Sequence, residues 1–315
     1  MKAFRYARPG TLDEVLALLD EHGPGASLLA GGTDLLVRLR AGAKRATPQV
    51  VIDLKRVKAL RSDIAACAVR APREAGPPSG VETGSFLRIG ALAVMADIIE
   101  DERVRRDFPA LVEAAATVGS VQIRNRATLA GNICNASPAA DTAPALLVYG
   151  AVINLVGIGG RRGVPVNEFF LGPGQTVLRR GELVESLDLP LPQEKVGAAF
   201  ARLTRRRGVD LATVSACCLV KASGLTLFAY GAAGPRPFLV SDDSGRLADP
   251  YGDPQEKERI LQHLISYARP ISDVRGSREY RWAMLWVMSR RALQAALDRL
   301  HASEQRGCLR PAQRG

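Results

Sequence analysis

The sequence predicts an α+β chain of two domains, and three observations carry that prediction. A length of 315 residues exceeds what one compact core ordinarily needs. Strand-like and helix-like segments alternate as far as about residue 177, the pattern of layered sheets and helices. After Gly181 the order changes to a run of strands followed by two amphipathic helices. A boundary is therefore expected near 178, with domains over 1–177 and 178–300 and a flexible tail over 301–315.

The elements follow in order. Thr11-Leu-Asp-Glu14 reads as a capping box: the Thr11 hydroxyl takes the Glu14 N–H, and the Glu14 carboxylate reaches back to the Thr11 N–H. Leu12, Val15, Leu16 and Leu19 then recur at helical spacing, and the helix ends near Gly23. Residues 27–30 form a short strand that runs straight into Gly31-Gly32-Thr33-Asp34, with a helix over 35–39. VVIDL (50–54) is another strand. APREAGPPSGVETG (71–84) lacks periodicity and reads as an exposed loop between 65–69 and a strand at 86–89. Helices are predicted near 92–100 and 109–118, then a short helix ending at Tyr149 and a strand over 151–156. GIGGRRG (157–163) reads as a turn. Beyond it, strands are predicted over 183–189 and 198–203, with a hairpin of 214–221 and 225–230. Helices over 254–267 and 277–300 close the chain, the last with an apolar stripe of Leu285, Met288, Ala292 and Ala296 suited to core packing.

Several function classes are disfavoured. The net charge of +11 invites a nucleic-acid reading, but the arginines are scattered in short clusters and aromatic content is only 5%, so base-stacking platforms are scarce and no nucleic-acid partner is expected. The five cysteines (Cys67, Cys134, Cys217, Cys218, Cys308) are odd in number and form no C-x-x-C, which argues against a disulfide framework or a zinc site and fits a reduced, cytoplasmic setting. His22, His263 and His301 sit in no metal or triad pattern. MKAFRYARPG lacks the apolar core of a signal peptide. The longest uncharged run, 142–160, contains Pro144, Gly150 and Asn154 and reads as a buried helix followed by a strand, so no transmembrane segment is expected.

Two segments suggest chemistry. LLAGGTDLL (28–36) places two glycines between a strand and a helix start, where backbone N–H groups can approach an oxyanion closely and Thr33 adds a hydroxyl. Asp34 would cap the helix or position the loop. TLAGNICNASPAAD (128–141) again groups small residues, with Gly131-Asn132 and Asn135-Ala-Ser137 expected to offer free N–H groups and Asp141 as its one formal charge. Two such loops separated by an α/β unit suggest a clamp on a long diphosphate ligand. GIGGRRG is one residue off a dinucleotide fingerprint and no helix follows it.

AGGTDLLVRLR (30–40), QIRNRATLAGNICNASPAAD (122–141) and DVRGSREYR (273–281) resemble the FAD-binding subunit of molybdenum hydroxylases, the group of carbon monoxide dehydrogenase medium subunits and the flavin portion of xanthine dehydrogenase. The resemblance covers nearly the whole chain. It implies a two-lobed α/β FAD-binding domain of the PCMH type, with lobes of about 1–56 and 57–177, then a small C-terminal domain of a three-stranded sheet with helices. It implies that Leu29, Ala30, Gly31, Gly32, Thr33, Asp34 and Leu35 wrap the FAD diphosphate and that Thr128, Gly131 and Asn132 close on it. Cys134 and Asn135 would line the flavin or ribityl side, Asp141 would take hydroxyl hydrogen bonds, and Gly119 and Ile123 would pack nearby. Val184 and Arg202 would approach the isoalloxazine from the C-terminal domain. No catalytic residue and no metal site are implied on this chain.

The implied role is electron transfer within a cytoplasmic oxidoreductase. The molybdenum cofactor would sit on a large partner subunit and two-iron two-sulfur clusters on a small one, in a dimer of heterotrimers. One departure concerns Ala130, which stands where the family often has glycine; a left-handed backbone there would be strained. The rival readings are a stand-alone PCMH-type flavin oxidase, which often tethers FAD through His or Cys, and a basic interaction module that has lost FAD.

Overall fold

The computed structural model describes residues 3–41, 47–61, 63–67 and 85–307, the last five by backbone alone. The loop expected at 71–84 lies outside the described residues, as do Cys308 and most of the expected tail. In chain order the first elements are β1 (Arg5–Ala7), α1 (Leu12–His22), β2 (Ala26–Leu29), α2 (Leu35–Ala41), β3 (Val50–Asp53), β4 (Ile64–Cys67) and β5 (Phe86–Gly90). There follow α3 (Met95–Glu100), α4 (Glu102–Asp107), α5 (Pro109–Ala116), α6 (Val121–Arg124), α7 (Leu129–Cys134) and α8 (Thr142–Val148). Next come β6 (Val152–Gly157), β7 (Gly160–Pro165), α9 (Val166–Phe169), β8 (Phe170–Gly172), β9 (Gln175–Thr176) and β10 (Leu183–Pro190). The chain continues with β11 (Val196–Leu203), β12 (Val214–Lys221), β13 (Thr226–Gly231), β14 (Phe238–Asp242), α10 (Pro254–Ile265) and α11 (Arg278–Gly307).

These elements form two compact units. The first comprises Met1–Arg105, Ala115–Ser137 and Gly150–Leu191; the second comprises Arg106–Ala114, Pro138–Tyr149 and Pro192–Gly315.

In the first unit a parallel sheet of order β1-β3-β2 places Leu29 opposite Asp53. Helix α1 contacts this sheet and buries Val15, Leu16 and Leu19. Its start follows the expected box with one shift: Thr11 Oγ1 accepts the Glu14 N–H at 3.3 Å, while the Glu14 carboxylate takes the Gly10 N–H at 2.7 Å rather than that of Thr11. The second sheet has the order β4-β5-β10-β6-β7. Strand β10 is its middle member, antiparallel to both β5 and β6. The first unit therefore runs on to Leu191, past the boundary expected near 178, because Leu183, Leu187 and Leu189 bury their side chains in this sheet. GIGGRRG is a turn only at Ile158-Gly159; Gly157 pairs with Gly160, and Arg161 and Arg162 continue as strand β7. Both arginines are held there, Arg161 by Glu185 at 2.9 Å and Arg162 by Glu182 at 2.8 Å.

The second unit contains a four-stranded antiparallel sheet, β11-β12-β13-β14, one strand more than the three expected. The additional strand, β14, alternates half-buried and exposed positions, with Phe238 and Val240 packed against the core. Ala216, Cys218, Val220, Phe228 and Tyr230 form a core with Leu285, Met288, Ala292 and Ala296 of α11, the predicted stripe. The uncharged run 142–160 resolves into the wholly buried helix α8, which contacts β12 and β13, and then strand β6. Among the described residues no helix is long and apolar enough to cross a membrane.

Candidate functional site

Parallel strands leave their carboxyl ends open to ligands, because the loops that follow diverge there. In the first unit β2 leads from that edge directly into Ala30-Gly31-Gly32-Thr33-Asp34 and then α2. The N–H groups of Gly31, Gly32, Thr33, Asp34 and Leu35 donate to no other group among the described residues. Helical bonding begins with the Leu36 N–H, 3.0 Å from the Gly32 carbonyl oxygen. Backbone donors are almost always paired in a folded chain, so this run of adjacent open donors suits an anion.

Glycine is required twice in this cradle. A Cβ on Gly31 would lie 1.9 Å from the Arg126 carbonyl oxygen and 3.1 Å from Ala127 Cα. The loop backbone is thus pressed against the backbone that enters α7. Gly32 has a φ of +81°, and a Cβ there would meet Leu29 Cδ1 at 2.8 Å. Of the other expected residues here, Thr33 is half-buried, Asp34 is exposed and Leu35 is buried.

The second stretch is built differently from the expected loop of free N–H groups. Thr128 caps α7, its Oγ1 accepting the Gly131 N–H at 3.0 Å, and its carbonyl accepts the Asn132 N–H at 3.0 Å. The Asn135 N–H bonds the Gly131 carbonyl at 3.1 Å and the Ala136 N–H bonds that of Ile133 at 2.9 Å. This segment therefore presents side chains, with Asn132, Cys134 and Asn135 half-buried and Gly131 exposed. Ala130 lies inside α7; the positive φ nearby, 46°, belongs to Ala136, so no left-handed strain falls on Ala130. Gly119, with φ +54°, packs against Ile123, whose Cγ2 would be 2.5 Å from a Cβ at that position.

Ala30, Gly31 and Thr128 meet at a cleft of about 420 Å³, whose other walls are Lys55, Arg61, Leu92, Val94, Asn125 and Arg126. The lining holds three cations and no acid. Arg61 and Arg126 have no ion-pair partner among the described residues, whereas Lys55 Nζ is 2.6 Å from Asp53 Oδ1. The sequence reading missed Lys55, Arg61, Asn125 and Arg126. Asn125 and Arg126 lie inside the QIRNRAT motif and Lys55 directly after the VVIDL strand, so those two signals existed; Arg61 carries none.

Burial pushes the Cys134 thiol up to about 12, although the residue as a whole keeps some exposure. An acid with so raised a pKa stays protonated throughout the neutral range and forms thiolate only as the pH approaches that value. Cys134 is accordingly held as the neutral thiol rather than the nucleophilic thiolate at neutral pH. Iodoacetamide at about pH 8, near the ordinary cysteine pKa, is expected to label Cys134 only after denaturation. Rapid labelling of the native chain, located by peptide mapping, would contradict this.

The remaining expected residues lie elsewhere. Val184 is buried on β10 of the first unit, at a bulge against β6, and not in the C-terminal domain as expected. Asp141 and Arg202 belong to the second unit and are brought together there. Arg202 Nη1 donates to Asp141 Oδ2 at 3.0 Å, and Nη2 donates to the Asp210 carbonyl. Their side chains are 7% (Arg202) and 11% (Asp141) exposed, so this is a buried ion pair.

A glycine cradle at the carboxyl edge of a parallel sheet, facing a cationic cleft, defines a domain that holds a phosphorylated cofactor. Comparison with known proteins narrows the class. Residues 2–192 match the family described as the FAD binding domain in molybdopterin dehydrogenase, and residues 198–296 match the CO dehydrogenase flavoprotein C-terminal domain. The chain belongs to this family: it is an FAD-binding medium subunit of the molybdenum hydroxylase, or xanthine and carbon monoxide dehydrogenase, type. It is 32% identical over 297 residues to the xanthine dehydrogenase FAD-binding subunit of Escherichia coli O157:H7, covering 93% of this chain and 95% of the relative. It is 31% identical over 300 residues to the carbon monoxide dehydrogenase medium chain of Hydrogenophaga pseudoflava, covering 94% and 98%. A solved structure of carbon monoxide dehydrogenase from Hydrogenophaga pseudoflava superposes with a TM-score of 0.80 at 30% identity, over 95% of this chain and 98% of that one.

Proposed function

We propose that this chain holds FAD with its diphosphate on the N–H groups of residues 31–35 and the cations Lys55, Arg61 and Arg126, and relays electrons between partner iron–sulfur clusters and an external acceptor. The observation that carries the proposal is the run of open backbone donors beside an acid-free cationic cleft. A dianionic diphosphate needs that donor set; a neutral ligand would leave both the N–H groups and the guanidiniums uncompensated. FAD supplies the capacity to take electrons singly and release them singly or in pairs. This chain's residues bind and orient it. Leu29 and Gly32 shape the loop, Thr128 fixes the turn that presents Gly131 and Asn132, and Cys134 and Asn135 provide a small polar wall.

In this reading the substrate is oxidised on a molybdenum-cofactor large subunit, and electrons arrive through an iron–sulfur small subunit. The assembly is a cytoplasmic dimer of heterotrimers. The names of the relatives support a subunit role, since they are FAD-binding subunits and medium chains. The test is to measure flavin reduction by the hydroxylase substrate with and without the partner subunits. Reduction only in the reconstituted complex is expected. Turnover of an organic substrate by the isolated chain would instead make it a self-contained flavin oxidase.

Gly32→Val gives a sharper check on the placement of the diphosphate. A β-branched residue at φ +81° costs about 1–2 kcal/mol, and its Cβ would meet Leu29 Cδ1 at 2.8 Å and displace the loop. Loss of FAD from the purified variant is expected; a normal flavin content would refute the placement.

A further inference from the structure

Strands β1 and β3 of the small parallel sheet share one side-chain network at its carboxyl edge, beside the end of β2. Asp53, the last residue of β3, is 2% exposed and lies in register with Leu29, where β2 opens into the glycine loop. Its Oδ2 accepts the Tyr6 hydroxyl from β1 at 2.5 Å, with Arg8 Nε at 4.0 Å. Its Oδ1 accepts the Lys55 N–H at 3.0 Å and stands 2.6 Å from Lys55 Nζ. Burial alone would raise the Asp53 pKa, but the hydrogen bonds from Lys55 and Tyr6 outweigh it and hold the carboxyl below its usual range. Asp53 is therefore a carboxylate with hydrogen-bond partners on both oxygens, and the ammonium it holds belongs to Lys55, a residue that lines the cleft.

A lysine on a surface turn samples many rotamers, and holding its ammonium in one place costs conformational entropy on ligand binding. Here that ordering is already done in the folded chain. An ammonium has three donors, and one is taken by Asp53, so two remain for a ligand in the cleft. We infer that Asp53 is a positioning residue, braced by Tyr6, that holds the Lys55 ammonium in the cleft for the diphosphate of the ADP half of the cofactor. The inference rests on the placement proposed above and adds residues that lie outside the AGGTDLLVRLR and QIRNRATLAGNICNASPAAD motifs.

The test uses the full chain stripped of flavin, with ADP as the probe and its affinity read by competition against FAD rebinding. Lys55→Met and Asp53→Asn are each expected to weaken ADP about tenfold, the size of one charge-assisted hydrogen bond. The double variant should be no weaker than Lys55→Met alone, because Asp53 acts through Lys55. Lys55→Arg should recover part of the loss. Tyr6→Phe, which removes one brace and keeps the ion pair, should cost about threefold on the same grounds. Lys55→Met should lower the melting temperature, since it leaves the buried Asp53 carboxylate without its ion-pair partner Lys55, so ADP affinity is read well below the transition of each variant. Additive losses in the double variant, or parental ADP affinity in Lys55→Met, would overturn the inference. If the parent chain binds neither FAD nor ADP, the proposed function itself fails, which is a separate outcome.

Discussion

Gly31→Ala, the smallest possible change at that position, is expected to abolish FAD retention and to destabilise the first unit. A single methyl group would place a Cβ 1.9 Å from the Arg126 carbonyl oxygen and 2.7 Å from its carbon. Both obstacles are backbone, so no rotamer change relieves the overlap. Either the glycine loop retreats or the segment entering α7 does, and each movement opens the cleft that Ala30, Gly31, Arg126 and Thr128 share. Overpacking of this kind costs about 1–3 kcal/mol, read as a lower melting temperature of the flavin-free protein. The lost N–H alignment is read separately, as flavin content. Gly159→Ala, in the turn between β6 and β7, is the control, because a Cβ there would meet nothing within 4 Å. It should retain far more flavin than Gly31→Ala.

The second large effect concerns the ion pair of the second unit. Arg202 and Asp141 are joined at 3.0 Å with both side chains largely out of water. Removing one partner from a buried pair strands the other charge and typically costs about 3–5 kcal/mol. Arg202→Met is therefore expected to lower the melting temperature strongly. The double change Arg202→Met with Asp141→Leu should recover much of the loss, since apolar replacement of both partners is often near neutral. Equal destabilisation by the single and double variants would show that the pair is not coupled. Flavin content of Asp141→Asn, which keeps the shape, tests the expectation from the family resemblance that Asp141 takes cofactor hydroxyls.

The sequence made local features legible and hid those that depend on pairing at a distance. Thr11 capping α1, the apolar stripe of α11 and the glycine loop after β2 each declare themselves within a few residues, because caps, helical periodicity and turns are short-range physics. Strand β10 was visible as a strand, but its place was not. It pairs with β5, about a hundred residues earlier, as in the Asp188–Arg88 pair joined at 2.8 Å, and nothing near residue 183 announces that partner. The first compact unit runs on past residue 178 for that reason. The cationic wall of the cleft was lost in the same way, since Lys55, Arg61 and Arg126 are scattered among 43 Lys and Arg residues and only the fold gathers these three. TLAGNICNASPAAD was recognised as important through its glycine and asparagines. Its backbone donors prove to be engaged in α7, a consequence of Thr128 capping that spacing alone did not reveal.

The central claim, that this chain binds FAD as a flavin subunit, is tested most directly by the visible spectrum of the purified full chain. A flavin spectrum is predicted, with the chromophore released on denaturation, identified as FAD and stoichiometric with protein. A colourless chain that FAD cannot reconstitute would contradict the account.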